Sequence, residues 1–338
     1  MKRPILPQTP PMPKLRLLPL LLALASSPAL AADLSLGLPI ACSLGADCWV
    51  QQYPAHEGPG GASDYRCGHE SYQGHDGTDF RVRDTSVHVP VLASAAGMVK
   101  AARDGAADHL VKNDADLAAV KGRECGNGAV IVHEGGFETQ YCHLRQGSVR
   151  VKTGERIAAG AKLGEVGYSG QAGFPHVHLT VRRDGKALDP FDSGPAVGAK
   201  CGTGGPSLWS KEAAGALDYD TGADLIDAGF HGAPVDIEGL ETGTIKPDNL
   251  AQDWPALVAF MWAINLSAGD TISVTLKGPG KVSAENSVTL DRNKAQYLLF
   301  AGKKRPPGDW PAGDYVGSVT VMNGGQVRLA KEWQALLK

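Results

Sequence analysis

Glycine and proline punctuate this chain from one end to the other, 43 of the first and 22 of the second in 338 residues. Breakers at that density interrupt helical periodicity and favour many short strands joined by tight turns over long helices. Where side chains alternate, the strand reading becomes specific. Ile272, Val274 and Leu276 in "TISVTLKGPG" fall on one face, and Tyr315 to Val321 in "DYVGSVTVMNGGQVRL" repeats the pattern before a hairpin turn at Asn323-Gly324. Residues 202–338 are therefore expected to form a small β-sandwich, immunoglobulin-like in outline. With 43% hydrophobic residues the chain is long enough for two cores, and a net charge of −3 argues against a polyanion such as nucleic acid as partner.

The first 31 residues read as an export signal. Lys2, Arg3, Lys14 and Arg16 precede the apolar run Leu17 to Ala25, and Ala29-Leu30-Ala31 supplies small residues for cleavage before Ala32. That run is too short for a stable membrane span, and "LPIAC" carries Pro39 where a lipoprotein signal needs an aliphatic residue. A periplasmic or secreted location follows as the expectation. In an oxidising compartment the six cysteines read as disulfides. "ECGNGAVIVHEGGFETQYCHL" is a hairpin turning at Gly135-Gly136, which brings Cys125 to Cys142. For the remaining four, the expectation is Cys48 with Cys67 and Cys42 with Cys201. All six precede residue 202, and the Gly-rich stretch "CGTGGPSLWSKEAAG" is taken as the boundary between domains 32–201 and 202–338.

Chemistry concentrates in the first of these. "GFPHVHL" sets His176 and His178 two apart on a strand, so both rings look to one side. Ten histidines give about 0.3 such pairs at random, and the pair needs partners. "GHDGTDF" places His75 and Asp79 four apart, with Gly77 arguing for a turn between them. "TQYCHL" places His143 at a strand end, its side chain expected opposite to that of Cys142 and on the face of Tyr141.

These three motifs, in this order, resemble the M23 family of zinc metallopeptidases, the LytM and lysostaphin-like cell-wall endopeptidases, whose pattern is HxxxD, a later YxHL and a final HxH. "VPVLASAAGMV" and "VKTGERIAAGAKLGEVGYSG" resemble the family's flanking strand and glycine-spaced turns, and the likeness runs from about residue 65 to 192. It implies an antiparallel β-sheet catalytic domain, one Zn2+ held by His75, Asp79 and His178, and His143 and His176 as catalytic histidines acting on water and oxyanion. It also implies peptidoglycan peptides as substrate. Two imidazoles and one carboxylate leave a coordination position open, as a catalytic zinc needs to lower the pKa of a bound water to near 7. Tyr141 is a candidate for supporting the transition state.

Other features take plainer readings. His133 falls on the hairpin strand and His69, His88 and His109 on loops, where structural or solvent-exposed roles are expected. The segment "AADHLVKNDADLAAVKGRECGNG" is longer than the connection expected there and is read as a loop bordering the cleft. The C-terminal module offers one histidine, His231, and no ligand-spaced carboxylates, so it is read as structural or as binding cell wall or protein. Its Trp254, Trp262, Trp310 and Trp333 could line a glycan surface, although core packing is the commoner use of such residues. Two other functions compete with the enzyme. A non-catalytic M23-like adaptor would have lost ligands, which here are intact. A biotinyl or lipoyl carrier would need a lysine at a hairpin tip and would leave the histidines without a purpose.

Overall fold

The computed structural model of the chain describes Met1 and residues 34–58, 61–217, 219 and 222–338. Apart from Met1, the expected export signal lies outside the described residues. Strands dominate and all pair antiparallel. The strands that build the first sheet are β1 (Cys48–Gln52), β2 (Thr78–Val82), β3 (Gly97–Arg103), β4 (Asn127–Val132), β5 (Phe137–Leu144), β6 (Arg156–Ile157), β7 (His176–Arg183) and β8 (Lys186–Leu188). Their order is β1-β2-β7-β5-β4-β3-β6, with β8 added to β7.

The two faces of this sheet do different work. On β7, Val177, Leu179 and Val181 are fully buried in a core that includes Phe80, Ile131, Tyr141 and Leu144. The alternate residues His176, His178 and Thr180 look the other way. Leu208, Trp209, Ala213 and Leu217, which the sequence assigned to the second half, also join this first core.

The second half carries β9 (Asp224–His231), β10 (Ala256–Leu266), β11 (Thr271–Lys277), β12 (Ser283–Thr289), β13 (Lys294–Lys304), β14 (Gly313–Asn323) and β15 (Gln326–Leu337). They form sheets of order β9-β10-β13 and β12-β11-β14-β15 around one core. That division of first, second and fifth strands against the other four makes an immunoglobulin-like sandwich. Tyr315 is fully buried near the start of the sixth strand and donates its hydroxyl to Pro311 O at 2.9 Å, the tyrosine corner of such folds. The hairpin after β14 turns on Gly324-Gly325, both at positive φ, one residue later than the sequence suggested. Asn323 instead bonds Asp270 and Ala268 O. Trp262 and Trp310 are buried and Trp254 and Trp333 pack against the core, so these rings do not form a glycan surface.

The halves share a third cluster. Trp49 of β1 packs with Ile226, Val258, Phe260, Trp262 and Ile264 of the sandwich. Among the described residues no helix is long and apolar enough to cross a membrane.

The cysteines pair as Cys42 with Cys48, Cys67 with Cys201, and Cys125 with Cys142. The last is the pairing the hairpin predicts, and the other two correct the expectation. Residues 43–48 fold back on themselves, with Gly45 N donating to Cys48 O, and this delivers Cys42 to Cys48. Cys67 sits in a turn that Gly202 joins through Tyr65 O, which delivers Cys201.

Candidate metal centre

Register builds the site. In the β2-β7 pairing Asp79 stands opposite His178, and in β7-β5 His178 stands opposite Cys142, so the aspartate and the histidine share a face. His75 arrives from the turn that leads into β2. A side chain at Gly77 would put its Cβ 2.5 Å from both His178 Nε2 and Leu179 O, so only glycine lets this turn lie against β7.

The donors converge. His178 Nδ1 lies 2.8 Å from Asp79 Oδ1 and 3.1 Å from His75 Nε2, and His75 Nε2 lies 3.1 Å from Asp79 Oδ1. The outer ring nitrogens are already engaged. His75 Nδ1 donates to Tyr53 O at 2.7 Å, and His178 Nε2 meets Asp76 Oδ1 at 3.2 Å and Thr180 Oγ1 at 3.0 Å. With an N–H of each ring placed on those outer partners, His75 Nε2 and His178 Nδ1 are the nitrogens directed at the aspartate. Two imidazole nitrogens and a carboxylate oxygen at such separations could hold a metal ion.

The electrostatics agree. Burial alone would lower His178, but the bonds and charges of Asp76 and Asp79 outweigh it and raise it to about 9. Burial would raise Asp79, yet the charges of His75 and His176 and the bonds from His178 and His75 hold it well below the usual carboxylate range. Each group thus favours positive charge at this point.

Two further histidines border the centre. His176 Nε2 is 3.4 Å from Asp79 Oδ1, and the rings of His143 and His176 lie 4.6 Å apart. His143 Nδ1 donates to Ser169 O and His176 Nδ1 to Phe174 O, each at 2.8 Å. Burial lowers both, His143 further through the charges of His176 and His178. With the charged form disfavoured and Nδ1 donating to a carbonyl, Nε2 is the position of each ring at which a proton can be taken up.

The structure brings His75, Asp79, His143, His176 and His178 together and leaves Tyr141 out. His143 has φ of +63°, which breaks strand alternation and turns its ring to the face of Cys142, where both line the cleft. Tyr141 stays on the opposite face, fully buried in the core, and its hydroxyl accepts from Ser94 N at 2.7 Å. It therefore offers nothing to a substrate in the cleft. His133 bonds Ala96 O and Thr139, His69 bonds Ser267, and His88 and His109 pair with Glu165 and Asp116 away from the site.

The cleft measures about 460 Å³ and opens over Tyr72, Gln140, the Cys125 to Cys142 bridge and Arg182. The long segment before Cys125 folds in part as helix α1 (Asp114–Ala119), and its Glu124 lines the cleft. Arg182 was missed in the sequence. It lies four residues beyond His178 on the same strand face, bonding Gln140 and Asp76, and the period of two that placed the histidines would have found it.

On one face of this antiparallel sheet, two imidazoles and one carboxylate form a group that could hold a metal ion, with two further histidines beside it. Residues 73–190 match the model of peptidase family M23. Among solved structures, the prophage-encoded M23 protein EnpA from Enterococcus faecalis is similar at 21% identity, over 48% of this chain and 99% of its own catalytic domain, with a TM-score of 0.30. The catalytic domain of the antimicrobial peptidase lysostaphin from Staphylococcus simulans is similar at 22% identity, over 41% of this chain and 86% of its own, with a TM-score of 0.27. A chain in the complex of SpoIIIAH and SpoIIQ is similar at 22% identity, over 46% of this chain and 97% of its own, with a TM-score of 0.33.

Proposed function

We propose that this chain is an exported zinc endopeptidase that hydrolyses peptide bonds in the stems or cross-links of peptidoglycan. The observation that carries the reading is the set of donor atoms of His75, Asp79 and His178, all within 4.8 Å of one another, beside two further histidines. Zinc on those three donors would polarise a peptide carbonyl and acidify a water. The rest is done by the chain. His143 and His176, each held by a carbonyl at Nδ1, take the water proton at Nε2 and return it, first as a donor to the tetrahedral oxyanion and then to the leaving amine. Asp76 and Thr180 fix His178 from behind, and Tyr53 O fixes His75.

Digestion of purified sacculi, followed by mass spectrometry, tests this. The wild-type protein carries close to one zinc per chain and releases muropeptides with newly exposed termini at one peptide bond. Asp79→Ala carries no zinc by elemental analysis and releases none. Wild-type protein that binds sacculi without cutting them would mark the adaptor reading instead.

A further inference from the structure

The metal site leaves one large group unexplained. Arg81 stands two residues beyond Asp79 on β2, opposite His176 in the β2-β7 pairing, and is fully buried. Its guanidinium lies between two rings. On one side is Trp262 of the sandwich at 4.8 Å, and on the other Phe174 at 4.9 Å. Phe174 in turn stacks on His176, with centroids 4.4 Å apart and planes at 30°, and its carbonyl holds His176 Nδ1.

The same turn is braced from two more directions. Lys112, in the long segment before Cys125, donates to Gly173 O at 3.2 Å and pairs with Glu241. Glu241 is fully buried in helix α2 (Ile237–Thr242) and accepts from Gln296 Nε2, while Gln296 Oε1 accepts from Trp262 Nε1. Gln51 Oε1 takes Arg81 Nη1 at 2.5 Å. Burying a guanidinium is costly unless its charge and its faces are engaged. Here the engagement runs from the sandwich, through the arginine, to the turn that sets one histidine.

We propose that the C-terminal sandwich is part of the catalytic apparatus, with Trp262, Arg81 and Phe174 acting as positioning residues that fix the ring of His176. This rests on the peptidase reading given above. The Nδ1 bond and the longer approach of Nε2 to Asp79 Oδ1 act only at the edge of the imidazole, and a ring stacked on its face restricts the rotation they leave. The stack needs a planar cation. Lysine can keep charge near Glu241 but cannot lie flat between two rings.

The test uses the full chain and compares Arg81→Lys, Phe174→Leu and Phe174→Tyr. Phe174 lies on a partly exposed turn, so its variants remain informative if Arg81→Lys fails to fold. In Arg81→Lys and Phe174→Leu, zinc content and KM for a cross-linked peptide stay at the wild-type values while kcat falls about tenfold. Phe174→Tyr, which keeps the ring, recovers most of the rate. Crystal structures of both impaired variants show the His176 ring rotated or in two positions. Unchanged kcat in both, loss of zinc together with rate, or no recovery by the tyrosine overturns the proposal. Should the wild type cleave nothing, the peptidase reading fails, and the crystal structures then decide alone: a His176 ring that does not move in either variant overturns the positioning role.

Discussion

At the scale of single residues, His176 and His178 sit two apart, share a strand face and differ in what their nitrogens do. His178 turns Nδ1 to Asp79 and His75, whereas His176 spends Nδ1 on Phe174 O and sets Nε2 3.4 Å from Asp79 Oδ1. The two alanine variants therefore fail differently. His178→Ala removes one of three donors, and zinc is lost together with activity. His176→Ala keeps its zinc and its melting temperature while turnover drops by about 10² to 10³, the scale of one missing acid-base group. Atomic absorption and steady-state rates on the same preparations check both, and zinc loss from His176→Ala would refute the division of roles. Strand period made this pair legible in the sequence. It misplaced Tyr141, because nothing in "TQYCHL" announces that His143 takes a positive φ and leaves the alternation.

At the scale of elements, the hairpin β4-β5 is both scaffold and wall of the cleft. The Cys125 to Cys142 bridge closes it, and His143 N donates to Cys125 O at 2.9 Å, so the bridge also holds the residue whose backbone departs from the strand. Replacing both cysteines with alanine should cost about 2 to 5 kcal/mol, read from urea denaturation of the oxidised wild type and the variant. A loss well under 1 kcal/mol would mean that the sheet alone holds the hairpin. Local geometry explains what could be read in advance. This pair lies within one hairpin, 17 residues apart, and the turn fixes its register. Cys67 with Cys201 spans 134 residues, and its meeting depends on how two irregular stretches cross, which no periodic signal encodes. The sandwich was legible for the first reason, since Ile272, Val274 and Leu276 alternate as one buried face.

At the scale of the whole molecule, the sequence suggested two cores with a glycine-rich joint, and cysteine placement and histidine content both changed across it. What composition could not express is that the joint is bypassed. Trp49 and Arg81 come from the first sheet, Trp262 and Glu241 from the second half, and each finds its packing partners in the other. Long-range contacts of this kind depend on three-dimensional closure and leave no local pattern. Their consequence is cooperative: two independent modules would unfold separately, whereas halves joined through a buried tryptophan and a buried guanidinium open together. Trp262→Ala removes the largest fully buried side chain from that junction and uncovers one face of Arg81. It should lower stability by about 3 to 5 kcal/mol, as for other buried tryptophans cut to alanine. The diagnostic is where the loss is felt. Hydrogen exchange should accelerate in β10, which carries the substitution, and by a similar factor in β2, which carries Asp79 and Arg81. If β2 keeps its wild-type protection while β10 loses it, the halves are thermodynamically separate and the shared cluster is only a contact. If both rise together, stability of the strand that carries Asp79 is set in part by the sandwich, and, on the proposed ligand set, adding zinc should slow exchange in β10 as well as in β2, because a ligand that binds only the folded state protects every element that must open with its site.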